Sequence, residues 1–458
     1  MGSPRSHVFL GETQTATLDI GRILDEGRWS AYQRFLVFLT ALAIIFDGVD
    51  IQLLAISIPS IMKDWSVQRS AFAPILAIGL FGMMIGGALA GIAGDKLGRK
   101  VALTGSVLLF GAMTIAISMV SSLTALGVIR FIAGLGLGGA LPNAAALASE
   151  FVPKRHRPFA VTLTIVCIPL GGTLAGSVAI QILPTLGWRT LFLIGGILPV
   201  ATAVLLMALL PESPRFLAQR RERWPELAKI LKRTGHSVPL AAQFTDVHEQ
   251  TQGRASIGTL FTPEFRRDTV ALWGSFFSCL LAVYLGLNWV PSMLTGAGLS
   301  PTVGSAGITA FNMGGVVGAI LGALAFARLG SKPTMLTMSA GAILGAFILR
   351  GMVITPESET GPIIAMLGIT GGLINAVQTT MYALAAQVYP TVVRATGVGS
   401  AMSIGRSGAI LSSYTGSWAL GVGGTSLFFL LIGMSMTVCF ITLALICLLY
   451  TSPSPRDS

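Results

Sequence analysis

Residues 43–61 run A-I-I-F-D-G-V-D-I-Q-L-L-A-I-S-I-P-S-I, an apolar stretch that carries two carboxylates, Asp47 and Asp50, three positions apart. In a helix that spacing puts both on one face. Two carboxylates at close range do not both ionise cheaply, and a desolvated one takes up a proton more readily. Such a pair can therefore bind and release a proton; alternatively it anchors a buried cation and caps the backbone around Gly48. Two cations lie in apolar stretches of their own, Arg130 and Arg406. Arg406, in S403-I-G-R-S-G, has no acid in its stretch. A buried guanidinium without a fixed anion suits an anionic ligand held through two parallel hydrogen bonds, although backbone carbonyls of a neighbouring helix would also hold it. Asn143, Asn288, Asn312, Asn375, Gln378 and Tyr382 are further polar side chains inside apolar stretches. Each is a candidate pocket group or an interhelical hydrogen bond. Trp289, beside Asn288, would stack on an aromatic ring or sit in a membrane-interface belt.

The surrounding chain explains how such charges are placed. The 458 residues are 53% hydrophobic and 11% charged, with a mean hydropathy of +0.77, whereas soluble domains are about 25% charged. The solvent is lipid. Apolar runs long enough to span fall near 33–58, 72–94, 101–119, 124–149, 159–183, 189–210, 269–296, 303–327, 333–354, 361–386, 394–420 and 425–450. The expected fold is an all-α polytopic membrane protein of twelve transmembrane helices in two pseudo-symmetric six-helix bundles. The expected organisation is an N-terminal cytoplasmic segment (1–32), a first bundle (33–210), a cytoplasmic linker (211–268), a second bundle (269–450) and a polar tail (451–458). No cleavable signal peptide is expected, because about 30 polar residues precede the first apolar run. The linker stretch R-R-E-R-W-P-E-L-A-K-I-L-K-R predicts an amphipathic helix lying on the membrane face.

With the N-terminus inside, 24 of the 30 Lys and Arg residues fall on the cytoplasmic side; only Lys63, Arg69, Arg189 and Arg350 fall outside. This bias orients both termini to the cytoplasm. It also explains the net charge of +11 as a topology signal, which excludes a nucleic-acid partner. At about 1.5 Å per residue, Asp47 and Asp50 lie roughly 18–23 Å above the inner edge and Arg130 about 21 Å above it. The three charges thus share one depth, facing one aqueous cavity as one network. Arg406 lies about 18 Å along its helix from Arg394, near mid-membrane.

The two halves repeat. G94-D-K-L-G-R-K100 after the second helix matches F326-A-R-L-G-S-K332 after the eighth, and A148-S-E-F-V-P-K-R-H-R157 matches A385-A-Q-V-Y-P-T-V-V-R394. Paired repeats around a mid-membrane site are the plan of a rocking transporter. The G-x-x-x-D-x-x-G-R-K loop, R130-F-I-A-G-L-G-L-G-G and P211-E-S-P-R-F resemble the major facilitator superfamily. D47-G-V-D50, L137-G-G-A-L-P-N-A-A-A-L-A-S-E150, N288-W and Y389-P-T-V-V-R-A-T-G-V-G399 resemble its aromatic acid:proton symporter family. The resemblance implies a cytoplasmic gate of Asp95, Arg99, Glu150 and Arg394, with Asp95 paired near Arg394 at the start of the eleventh helix and Arg99 near Glu150. The second-half loop departs from the pattern, with Ala327 where the acid would stand.

The resemblance implies a non-enzymatic, proton-coupled importer of hydroxybenzoate- or benzoate-like carboxylates in a bacterial inner membrane. It would work as a monomer by alternating access and need no cofactor. Rival readings are a symporter for another organic acid or a sugar, and a proton-exchanging exporter of hydrophobic compounds. Other signals carry no chemistry. The G-L-G-L-G-G run follows no strand, so it is no dinucleotide loop. His7, His156, His236 and His248 are scattered in polar loops or tails and make no metal set, and Cys167, Cys279, Cys439 and Cys447 are expected as buried, reduced packing residues.

Overall fold

Inside a membrane every backbone N–H and C=O must find a partner within the protein, so only helices or closed barrels can cross it. The computed structural model, which describes residues 17–27, 29–234, 243–245 and 256–446, takes the helical solution. The membrane helices of the first half are α1 (Ala31–Trp65), α2 (Ala73–Leu97), α3 (Arg99–Ile117) and α4 (Leu123–Phe151), followed by a long stretch, Arg157–Leu209. That stretch bends where Gly187 adopts φ 77° and ψ 175°, which divides it into α5 (157–186) and α6 (188–209). The second half contributes α7 (Arg266–Gly296), α8 (Pro301–Leu329), α9 (Ser331–Gly351), α10 (Thr360–Val388), α11 (Thr391–Val422) and α12 (Gly424–Leu445). Ten helical segments are long and apolar enough to cross a membrane by composition, and one of these holds both α5 and α6. The polar α11, which carries Arg406, is the twelfth.

Glycine sets how closely these helices approach. A Cβ on Gly48 of α1 would strike the Ile168 carbonyl of α5, and one on Gly171 would strike the Ile45 carbonyl. The same close contact joins α2 to α4 through Gly134 against Gly79 and Gly138 against Met83, which is the use of the G-L-G-L-G-G run. In the second half, α8 meets α10 through Gly314 against Gly368 and Gly318 against Gly372, and α7 meets α11 through Gly408 against Phe277. The contacts of α1–α5 and α2–α4 thus recur six helices later. This is the repeat seen in the loops, expressed as packing.

On the face that carries the linker, the helix Trp224–Arg233 departs from expectation. Its apolar side does not lie on the membrane. Leu227, Ile230 and Leu231 are buried in one cluster with Ile20, Leu24, Leu217 and Phe244. The strand Thr17–Asp19 pairs in parallel with Gln243–Thr245 beside it. The apolar stripe is satisfied by protein, because the N-terminal segment folds back and supplies the partner. His7, His236, His248, Cys447 and the tail 451–458 lie outside the described residues. Cys167, Cys279 and Cys439 are buried and free.

The P211-E-S-P-R-F motif has a local task. Glu212, 1% exposed, accepts hydrogen bonds at 2.9 Å from the backbone N–H groups of Lys100 and Ser213. It therefore caps the N-terminus of α3, where free N–H groups favour an anion. Gly98, at φ 109°, turns the chain between α2 and α3, and a side chain there would collide with the Glu212 carboxylate. Glu212→Ala should lower the thermal unfolding midpoint in detergent, with loss of about 1–2 kcal/mol of capping, while Glu212→Gln, which keeps an acceptor, should lower it less. Equal loss in the two variants would show that the cap is not what Glu212 supplies.

Candidate transport site

Asp50 is fully buried at the contact of α1, α3 and α4. Arg130 Nη1 donates to its Oδ2 at 2.7 Å, and Nη2 donates to the Asp50 backbone carbonyl at 3.2 Å. The Thr114 hydroxyl of α3 hydrogen-bonds its Oδ1. Of the network expected from equal depth, the Asp50–Arg130 pair is present, but Asp50 is buried rather than facing an aqueous cavity, and Arg130 spends its guanidinium on it. Gly79 of α2 makes the space: a Cβ there would stand 3.0 Å from Arg130 Cγ. Thr114 carried no signal in the sequence, where it is one hydroxyl in an apolar helix.

Asp47, one turn away, is treated differently. It is 2% exposed, and its Oδ1 has no hydrogen-bond partner. The charges of Asp50, Arg130 and Arg406 all act on it. Arg406 comes from the other half of the molecule and reaches across to α2, where its Nη1 donates to the Met83 carbonyl at 3.3 Å. Gly87 permits that approach, since a Cβ there would stand 2.8 Å from Nη1. Among the described residues, no carboxylate forms an ion pair with Arg406.

A cleft lies between the halves. Ile51, Leu76, Gly79, Leu80, Met83, Arg130 and Leu137 line it from the first half, and Tyr284 and Asn288 of α7 from the second. Tyr284 also lies within electrostatic reach of Asp47, Arg406 and Tyr382. Sequence reasoning missed it, because an aromatic residue in an apolar helix has no distinguishing pattern. Tyr382 of α10 meets Gln378, one turn away on its own helix, and its ring stands edge-on to Phe276 at 5.5 Å. The site thus gathers Asp47, Asp50, Arg130, Asn288, Gln378, Tyr382 and Arg406, with Tyr284 added.

Other candidates are used for packing. Asn143 donates to the carbonyls of Ala90 at 3.2 Å and Gly139 at 2.9 Å, which joins α4 to α2. Trp289 is fully buried and donates to the Ser412 carbonyl at 3.1 Å with its ring against Gly416. It faces neither the cleft nor the membrane interface, because its neighbour Asn288 takes the cleft-facing position on the helix. Asn375 donates to Gly371 of its own helix at 2.8 Å. Asn312 of α8 donates at 3.2 Å to Gln52 of α1, so it joins the halves.

The four loop residues do not form the pairs expected of them. Asp95 pairs at 2.6 Å with Arg99, four residues on across the Gly98 turn, and its side chain is 59% exposed. Glu150 accepts from the Ser213 hydroxyl, and Arg394 Nε donates to the Tyr389 carbonyl at 3.2 Å. The local i,i+4 geometry supplies Asp95 with a cation without any contact to α11.

The hydrogen bonds that join the two halves among the described residues are those of Gln52, Asn312 and Arg406. All lie at mid-depth or toward the face opposite the linker. These bonds tie the halves together from mid-depth to that far face.

Residues 40–413 match the family model described as Major Facilitator Superfamily. The chain is 34% identical over 420 residues to a gallate transporter of Pseudomonas putida, covering 92% of this chain and 93% of the relative. It is 33% identical over 417 residues to the 4-hydroxybenzoate transporter PcaK of Acinetobacter baylyi, covering 89% and 90%. In shape it is similar to the inward-open xylose transporter XylE from E. coli, with a TM-score of 0.72 at 17% identity over 93% of this chain and 98% of that one. Twelve helices in repeated halves, a charged cleft between them and a match along most of the chain agree: the protein is a membrane transporter that belongs to the major facilitator superfamily.

Proposed function

We propose that this transporter imports a benzoate- or hydroxybenzoate-like aromatic carboxylate together with protons across a bacterial cytoplasmic membrane. Asp47 carries the reading: a carboxyl 2% exposed, with an oxygen that has no hydrogen-bond partner, beside an Asp50 already held by Arg130 at 2.7 Å. An ionised carboxylate without a partner is unfavourable in such a place. Of the two acids, Asp47 is the one that exchanges the proton, and Asp50 fixes the arginine that senses it. The bias of Lys and Arg makes the linker face cytoplasmic, with both termini there.

Arg406 holds the cargo. Among the described residues its guanidinium has a carbonyl as its hydrogen-bond partner, at 3.3 Å, and a carboxylate bound through two hydrogen bonds outcompetes a neutral acceptor. Asn288, Tyr284 and Tyr382 supply polar groups and ring faces around it. The aromatic nature of the cargo is supported by relatives called transporters of gallate, 4-hydroxybenzoate and benzoate. In the cycle, Asp47 takes a proton from the outer side, the carboxylate binds Arg406, and the halves rock so that both leave on the linker face. Asp95, Arg99, Glu150 and Arg394 form the gate of that face, and the pairing of Asp95 with Arg99 rather than with α11 fits a linker side that is not closed.

The reading is tested in proteoliposomes that contain a pH dye, given benzoates, aliphatic acids and sugars beside protein-free liposomes to correct for leakage of weak acids. Acidification of the lumen by hydroxybenzoates is expected. A response to aliphatic acids or sugars alone would refute the aromatic assignment, and alkalinisation would mean exchange.

Arg406→Ala should weaken binding of the aromatic acid about tenfold to a hundredfold, the equivalent of a charge-assisted hydrogen bond of about 1.5–3 kcal/mol, with the folded protein intact by size-exclusion profile. Unchanged affinity would remove Arg406 from the site.

Asp47→Asn, a fixed analogue of the protonated side chain, should abolish substrate-driven proton influx yet retain exchange of labelled for unlabelled substrate. Proton influx at the parent rate would assign coupling elsewhere.

A further inference from the structure

Gln52 stands two residues beyond Asp50 in α1, is 1% exposed, and is bonded entirely to the other half of the protein. Its Nε2 donates to the backbone carbonyl of Leu287 in α7 at 2.7 Å. Its Oε1 accepts from Asn312 Nδ2 of α8 at 3.2 Å. One side chain therefore ties α1 to two helices across the transport cleft.

The Leu287 carbonyl is free to accept for a reason written in the sequence. In an α-helix it would be bonded by the N–H of the residue four positions on. That residue is Pro291, which lies inside α7 and has no N–H. The proline leaves a buried acceptor without its intrahelical donor, and the Gln52 amide fills the vacancy. Asn312 is steadied by a second bond, from Nδ2 to the Ile308 carbonyl of its own helix at 3.0 Å. Close packing of Gly172 and Gly176 of α5 against Asn312 and Thr309 of α8 flanks the contact.

We propose that Gln52, the Pro291-released carbonyl of Leu287 and Asn312 form the latch that holds the far face closed. When the halves separate on that face, the Leu287 carbonyl loses its donor and no backbone N–H of α7 can replace it. Water or another side chain must do so. The proline thus biases the transporter toward the conformation in which the Gln52 amide is seated. The latch belongs to the transport cycle itself and holds whatever cargo the protein carries. Gln52 touches no substrate in this scheme; it is a positioning residue.

The test is a distance measurement across the far face by pulsed electron paramagnetic resonance. Spin labels are attached at Gln68→Cys and Ser300→Cys, two exposed positions on opposite halves, in the full chain with its native cysteines replaced by serine. Pro291→Ala restores the intrahelical N–H and closes the socket without altering Gln52. Gln52→Leu removes the amide. Each should enlarge the long-distance, far-face-open population several-fold over the parent. In the double variant Gln52→Leu with Pro291→Ala, the increase should fall short of the sum of the two single increases, because both substitutions remove the same Gln52–Leu287 bond while the bond to Asn312 is lost only with Gln52. A Pro291→Ala distribution that superimposes on the parent would overturn the proposal, and so would effects of the two substitutions that simply add. Pro291→Ala removes a helix-breaking residue, so the test survives even if Gln52→Leu does not fold.

Discussion

An ion placed in a membrane interior must be neutralised where it stands, and the Asp50–Arg130 pair is the point at which this protein meets that requirement. A charge at the centre of a membrane helix costs about 2.5–3.5 kcal/mol on insertion scales. Removing one partner of a buried pair costs about 3–5 kcal/mol, because the other is left uncompensated. The pair, at 2.7 Å, therefore fixes α1 against α4 in rotation as well as depth. Thr114 adds α3 to the same contact. Gly79 hollows α2 to admit the arginine stem. Four helices of the first half are registered by one carboxylate, and Asp47 is thereby held buried one turn away, with an oxygen that has no hydrogen-bond partner.

The second half follows the same helical plan with different chemistry. Its α7–α11 and α8–α10 contacts repeat the glycine packing of α1–α5 and α2–α4, yet among the described residues no acid in it pairs with Arg406. The loop aspartate of the first half, Asp95, has Ala327 as its counterpart. Proton chemistry and the fixed ion pair thus sit on the first half, while the unpaired cation and the tyrosines sit on the second. A pocket between two such halves is assembled from complementary parts, and it changes whenever they rock.

Backbone groups matter here as much as side chains. Arg406 rests on the Met83 carbonyl, Gln52 on the Leu287 carbonyl and Trp289 on the Ser412 carbonyl. Each contact joins two helices, and the second and third are buried, where water does not compete for the acceptor. Glycines beside the first and third of these, Gly87 and Gly416, bring the backbone within reach. At the second, proline makes the acceptor available.

By itself the sequence determined the membrane class, the number of crossings, the repeat and the depth of each charge, because these depend on hydropathy and on a rise per residue that lipid enforces on every helix. It also exposed Asp47, Asp50, Arg130 and Arg406, since a charge in an apolar run stands out without any knowledge of packing. It did not separate Asn288 from Asn143, or Trp289 from Tyr284, because rotation of a helix about its axis leaves depth unchanged and decides which face meets the cleft. Nor did it show that the helix Trp224–Arg233 packs on protein, since an amphipathic stripe is equally satisfied by a membrane surface. Those choices belong to the tertiary structure, where a partner distant in sequence, such as Ile20 for Leu227 or Leu287 for Gln52, decides what each polar or apolar face is for.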